Sequence, residues 1–238
     1  MLPRQTLNKL LKVYSMEIHV DSKAFVASLV DEMQGLFSQL GEHEILEAES
    51  GGQVEVVALL KLALISELEA SEIAAQWLPT TREIDAKTVL AEQCADEMKH
   101  YNLIMARLEE LGEDMSSFRP FEKGYSPLYH YLSGLHSMLE RIAAGPFACE
   151  AVAEIRNAQF IAFCHSVGDH ETAKLYEEII QPEEIHHHRR GREILEKYAT
   201  TPEAQALVAT ATRSSLAIAD ELQSLAELTT GLQNIPVS

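Results

Sequence analysis

Glutamate and histidine side chains recur along this chain at a spacing that suits metal coordination. Twice, a glutamate is followed three residues later by a histidine, which places both side chains on one face of a helix. Each of these motifs is preceded, 30 residues earlier, by a further glutamate, and the two sets are related by a constant offset of 87 residues. Mixed oxygen and nitrogen ligands of this kind favour Fe or Mn over Ca or Mg. The six candidate ligands are Glu67, Glu97, His100, Glu154, Glu184 and His187.

Each candidate ligand lies on the apolar stripe of a predicted helix, where an uncompensated charge is costly. Glu67, for example, shares its stripe with Leu60 and Leu64, whereas Glu69 and Glu72 lie off that stripe. Burying four carboxylates together with two imidazoles requires compensating cations. Four negative charges and two neutral imidazoles suit two divalent ions. The sequence therefore predicts a dinuclear metal site in the centre of a helical bundle.

A run of three histidines, 186–188, raises the question of which one faces the core. Successive residues of a helix point about 100° apart, so at most one of the three can do so. The apolar stripe of the helix selects His187. The alternative register, Glu183 with His186, shares its face with Arg190, which is a poor neighbour for a core.

Glu150, one helical turn before Glu154, is the rival candidate for the third carboxylate. Its face includes Asn157 and Cys164, and choosing it breaks the 87-residue repeat. Position on the stripe favours Glu154. In that case we expect Glu150 to lie beside the ligands rather than among them.

The elements that must position these residues are all predicted to be helices, since alternating strand patterns are almost absent. We expect one or two helices within 5–45, and we expect the next helix to end at Pro79. Pro146 should kink a later helix, and Pro182 should lie inside another. The later predicted helices cover about 54–78, 85–111, 128–165, 170–198 and 202–229.

Short loops join the helices within each predicted hairpin, and a long connection rich in Gly, Pro and Ser joins the two hairpins. This arrangement predicts an all-α fold, a four-helix bundle with extra N- and C-terminal helices. We expect one domain over 1–238, with the bundle core at about 54–198, an N-terminal helical section at 1–50 and a C-terminal helix at about 202–229.

Composition excludes several classes of partner. The net charge of −18 and the lack of a basic stripe argue against nucleic acid. Three cysteines without CxxC spacing argue against a disulfide framework and indicate a reducing compartment. The most apolar run is broken by Lys61, and the N-terminus lacks the apolar core of a signal peptide, so we expect a cytoplasmic protein without membrane contact.

At these motifs the chain resembles the ferritin-like dinuclear-iron carboxylate superfamily, over about residues 54–198. Its two motifs, DEMKH at 96–100 and EEIHH at 183–187, are similar to the Asp-Glu-x-Arg-His motif of the oxygenase branch. The resemblance implies that Asp96 orients His187 and that Glu183 orients His100. Lys99 and His186 stand where that branch usually has arginine, which is a departure from its pattern.

The resemblance further implies a non-haem diiron oxidoreductase that uses O2 and an electron donor to oxidise a small apolar organic molecule. Two alternatives stay open: a protein that oxidises, stores or buffers iron without an organic substrate, and a dinuclear manganese enzyme that dismutates peroxide. Ile104 occupies the position of the radical tyrosine of ribonucleotide-reductase small subunits, which disfavours that subfamily. The outer helices are candidates for a homodimer interface or for a lid.

Overall fold

A computed structural model describes residues 21–41 and 55–232, and within this part every regular element is helical. The expected all-α bundle is therefore confirmed for the described residues. Predictions for 1–20, 42–54 and 233–238 lie outside them. The α-helices are α1 (Ser22–Gly41), α2 (Val56–Trp77), α3 (Ile84–Glu110), α4 (Pro127–Ser133), α5 (Met138–Ile142), α6 (Glu150–Ser166), α7 (His170–Leu175), α8 (Gln181–Tyr198) and α9 (Pro202–Leu232).

Two helical hairpins form the frame of the bundle. In the first, α2 packs along α3, and a short 3-10 turn that contains Pro79 ends α2 as predicted. In the second, α6 packs along α8, and α8 also contacts α3 of the first hairpin. The long connection between the hairpins runs from the end of α3 to α5 and contains the short helix α4. Helices α1 and α9 pack on the outside of the second hairpin.

The helix predicted over 128–165 is interrupted between α4 and α5. Ser137 and Glu140 form a capping box there, because the Ser137 hydroxyl accepts the Glu140 N–H at 3.2 Å while the Glu140 carboxylate accepts the Ser137 N–H at 3.0 Å. This reciprocal arrangement satisfies two backbone donors and starts a new helix. The Ser-x-x-Glu signal is present in the sequence, and the prediction of a continuous helix overlooked it.

A π-helical segment directly precedes each helix of the second hairpin. The first segment, Ala143–Cys149, joins α5 to α6 and contains Pro146. The second, Tyr176–Ile180, joins α7 to α8, and Pro182 follows it by two residues. Proline lacks an N–H and clashes with the carbonyl four residues earlier, so an ordinary α-helical turn is disfavoured at both places. The wider π turn, with bonds from i to i+5, replaces it, and such turns are frequent at functional sites.

A buried polar layer crosses the bundle between two apolar clusters. One, the Trp77 cluster, contains Trp77, Leu90 and Phe147, together with residues of α1 and α9. The other, the Tyr176 cluster, contains Leu64, Ile104, Phe160 and Tyr176. Along α2 and α3, glutamate or histidine side chains separate residues of one cluster from residues of the other.

In the described part of the chain, no helix is both long enough and apolar enough to cross a membrane.

Candidate metal centre

The polar layer consists of two overlapping groups of glutamate and histidine side chains. Within each group, the potential ligand atoms all lie within 4.8 Å of one another. All four bundle helices contribute, through Glu67 on α2, two residues on α3, one on α6 and two on α8. The His100 group contains Glu67, Glu97, His100 and Glu184, and the His187 group contains Glu97, Glu150, Glu184 and His187.

Glu97 and Glu184 belong to both groups because each turns one carboxylate oxygen towards each histidine. Oε2 of Glu97 lies 3.5 Å from Nδ1 of His100, and Oε1 lies 3.4 Å from Nδ1 of His187. Oε1 of Glu184 lies 3.4 Å from Nδ1 of His100, and Oε2 lies 3.4 Å from Nδ1 of His187. These two carboxylates are therefore placed as bridges between the groups.

The remaining carboxylates each belong to one group. Oε2 of Glu67 lies 3.3 Å from Nδ1 of His100. Glu150 occupies the corresponding place in the His187 group and accepts a hydrogen bond from the amide of Gln93. Each group thus has one imidazole, one carboxylate of its own and two shared carboxylates.

The structure brings Glu150, and not the preferred Glu154, together with the other candidate residues. The inward face of α6 carries Phe160 and Cys164, both buried, and Glu150 lies on that face. Beyond Ala151, the stripe that favoured Glu154 turns away from the core, since Glu154 is half-buried and Ala158 is exposed. The π segment directly before α6 changes the helical register between Phe147 and Glu154, and the second π segment, Tyr176–Ile180, lies within the 30-residue spacing on which the repeat relied.

Each histidine of the cluster contacts a further carboxylate from the opposite hairpin through Nε2. Nε2 of His100 lies 2.8 Å from Glu183, and Nε2 of His187 lies 3.2 Å from Asp96. A carboxylate accepts, so Nε2 carries the proton and Nδ1 faces the cluster. This is the pairing that the resemblance implies for Asp96 and Glu183.

Lys99 links the two carboxylates that lie behind the histidines. Its ammonium group lies 3.1 Å from Asp96 and 2.5 Å from Glu183. The lysine thus compensates charge on both sides of the cluster at once. Burial raises the pKa of Asp96, but hydrogen bonds from Lys99 and His187 outweigh it and hold the pKa below its ordinary value.

Several buried polar atoms of the cluster make no hydrogen bond within the described part of the chain. They are Oε1 of Glu97, Oε2 of Glu184 and Nδ1 of His187, all in the His187 group. Unpaired polar atoms are costly at 1–2% exposure, which is the exposure of these three residues. Three unpaired ligand atoms converging on one point fit a bound cation, which would satisfy all of them.

Without a bound cation, several groups of the cluster have raised pKa values. Burial raises the pKa of Glu67 and of Glu150 well above the ordinary value, and the charges of neighbouring carboxylates add to this effect. Burial lowers the pKa of His187, but the carboxylates of Glu184 and Glu97, each 3.4 Å from Nδ1, outweigh this effect and raise that pKa to about 10. Each of the two groups could therefore hold a metal ion in exchange for these protons.

The three consecutive histidines have different environments, as predicted for a helix. His187 is 1% exposed and lies in the cluster. His186 is half-buried, with Nδ1 2.9 Å from Arg189. His188 stacks on Phe147, with ring centroids 5.1 Å apart, and burial lowers its pKa.

Comparison of the chain with protein-family models, with curated proteins and with solved structures gave no significant match. The functional argument therefore rests on the residues and on their geometry.

Proposed function

We propose that the chain is a non-haem diiron oxidoreductase that holds two iron ions in this cluster and uses O2 to oxidise a small apolar organic molecule. The position of Glu97 and Glu184 carries the proposal, since each offers one oxygen to each group. Two bridging carboxylates, with one carboxylate and one imidazole on each side, supply matched ligand sets for two ions. Mn²⁺ suits the same oxygen and nitrogen atoms.

Charge balance supports two ions rather than one. The cluster contains four carboxylates, and two divalent cations neutralise them when both imidazoles are neutral. Glu67 and His100 would hold one ion, and Glu150 and His187 would hold the other. Nε2 of His100 would keep its proton and donate it to Glu183, and Nε2 of His187 would donate in the same way to Asp96, which fixes the orientation of each ring.

The surroundings of the cluster support an apolar substrate. The Tyr176 cluster lies on one side and the Trp77 cluster on the other, so the chain excludes water from the ligand layer. Bound iron would supply the redox chemistry needed to reduce O2. The protein would supply the dry surroundings that keep the oxidant from reacting with water.

Metal content tests the proposal. Untagged protein from cells grown with iron and manganese is expected to contain about two ions per chain, measured by plasma mass spectrometry, and the Glu97→Ala/Glu184→Ala variant should lose both. Consumption of O2 by the reduced iron form would then be measured with small apolar molecules. A wild-type chain without metal would refute the proposal. Uptake of many ions per chain would favour iron storage, and turnover of peroxide by the manganese form would favour peroxide dismutation.

A further inference from the structure

His188 packs against the π segment that precedes Glu150. Its Nδ1 lies 2.7 Å from the backbone carbonyl oxygen of Phe147. A carbonyl only accepts, so Nδ1 of His188 carries the proton and donates. The His188 ring also lies nearly parallel to the ring of Phe147, at 17°. The side chain therefore holds both the backbone and the side chain of one residue in the segment.

Gly191 brings the same helical turn of α8 into direct contact with that segment. A Cβ atom at this position would lie 2.8 Å from the backbone nitrogen of Phe147 and 2.8 Å from the carbonyl carbon of Pro146. The absence of a side chain thus allows the backbone of α8 to rest on the peptide between Pro146 and Phe147. His188 and Gly191 together fix this peptide relative to α8.

The position of this peptide determines where Glu150 points. Phe147 precedes Glu150 by three residues, which is about one helical turn. Pro146 cannot donate a backbone hydrogen bond, so the segment has fewer internal bonds to hold its own register. A change of register by one residue would rotate the Glu150 side chain by about 100°. Contacts from α8 therefore supply a constraint that the segment cannot supply by itself.

We propose that His188 is a positioning residue for the metal centre: by donating to the Phe147 carbonyl, it holds the π segment in the register that keeps Glu150 in the His187 group. This inference rests on the proposed dinuclear site. It assigns separate roles to two adjacent histidines, because His187 would bind an ion while His188 would position a carboxylate for that ion. The His100 group, which lacks Glu150, would depend much less on His188.

Two variants separate the hydrogen bond from the ring. His188→Phe keeps an aromatic ring on Phe147 and leaves the Phe147 carbonyl without this donor. His188→Asn removes the ring but places an amide N–H close to the position of Nδ1. His186→Ala is the matched control, since it lies in the same histidine run and contacts Arg189.

The measurement is calorimetric titration of the metal-free proteins with Co²⁺, which binds nitrogen and oxygen sites more tightly than Mn²⁺ or Fe²⁺. In His188→Phe, one of the two ions should bind about tenfold or more weakly, as when a residue that orients a ligand is removed, and the other should bind as in wild type. His188→Asn should restore most of the loss, and His186→Ala should bind both ions normally. Circular dichroism of each metal-free variant reports whether it is folded.

Equal weakening of both ions in His188→Phe, or weakening of neither, would overturn the inference while leaving the dinuclear site in place. Failure of His188→Asn to restore binding would also overturn it. If His188→Phe does not fold, the smaller His188→Ala variant replaces it, with the same expected loss at one ion. A wild-type protein that binds no Co²⁺ would instead refute the metal centre itself, and this inference with it.

Discussion

Glu97 and Glu184, from opposite hairpins, each present one carboxylate oxygen to His100 and the other to His187, at 3.4–3.5 Å. Glu67, by contrast, contacts His100 within its own group, and Glu150 belongs to the His187 group. The cluster therefore contains two kinds of carboxylate, shared and unshared. Substitution of a shared carboxylate should therefore affect the binding of both ions, and substitution of an unshared carboxylate should affect only one.

Glu97→Gln should weaken the binding of both ions, because an amide oxygen is a poorer ligand than a carboxylate and both groups use this residue. Glu67→Gln should weaken the binding of one ion and leave the affinity for the other near the wild-type value. Titration of each metal-free variant with Co²⁺ would separate the two cases. Glu69→Gln is the control. Glu69 lies on α2, as Glu67 does, and is buried, but it accepts hydrogen bonds from Ser126 and belongs to neither group. Equal effects of Glu97→Gln and Glu67→Gln would contradict the bridging arrangement.

Substitution of Lys99 should affect the two ions alike, since its ammonium group contacts the carboxylates behind both histidines. Lys99→Met should lower the affinity for each ion by up to about tenfold, because the residues that orient ligands lose their common partner. Lys99→Arg should remain close to wild type. The exposed Lys174→Met variant controls for the change in net charge. A loss confined to one ion would show that Lys99 does not connect the two sides.

Metal binding should become tighter as the pH rises. In the metal-free protein the pKa of His187 is raised to about 10, so this ring holds a proton at neutral pH that an ion must displace, and burial raises the pKa of Glu67 and of Glu150 in the same direction. Each ion must displace protons, and the apparent affinity should therefore rise by about tenfold per pH unit for each proton displaced.

Calorimetry in buffers that differ in ionisation enthalpy would count the protons released per ion. A positive number, with weaker binding at pH 6 than at pH 8, is expected. Affinity that does not change with pH would mean that the ligands are already deprotonated in the metal-free protein.

Gly191→Ala should destabilise the protein by about 1–3 kcal/mol, the usual cost of forcing an extra methyl group into a packed interior. The reason is that a Cβ atom would lie 2.8 Å from backbone atoms of Pro146 and Phe147, which cannot move as a flexible side chain can. Thermal and urea unfolding would measure the change. Gly35→Ala is the matched control, since a Cβ atom there meets no atom of the described residues within 4 Å, and helix propensity should make it neutral or stabilising.

Most of the cluster could be predicted from sequence because its signals are local. The Glu-x-x-His spacing lies within one helical turn, and the apolar residues around Glu97 and Glu184 mark the buried face. These signals do not depend on how the helices pack against one another. Together with the stripe position of Glu67, they select five of the residues that the structure brings together with Glu150 in the two groups.

Glu150 could not be chosen in the same way, because its orientation depends on a change of helical register. The π segment before α6 alters which residues face inward, and a repeat counted in residues assumes that no such change occurs. Pro146 inside a predicted helix is the signal that the sequence offers here, and it predicts a kink rather than a change of register. Gln93, which donates to Glu150, was visible on the apolar stripe of α3 but could not be assigned a partner.

The distribution of the candidate ligands over four helices has a consequence for the folding of the whole chain. Glu67 and His187, the two ends of one chain segment, lie 120 residues apart. Two bound ions would join these two ends to each other and to two points between them. Such a connection acts as a reversible cross-link, which restricts the unfolded chain much as a disulfide does. No bundle helix could then detach without releasing an ion. Amide hydrogens of α2, α3, α6 and α8 should therefore exchange as one cooperative unit in the loaded protein, and hairpin by hairpin once a chelator has removed the metal.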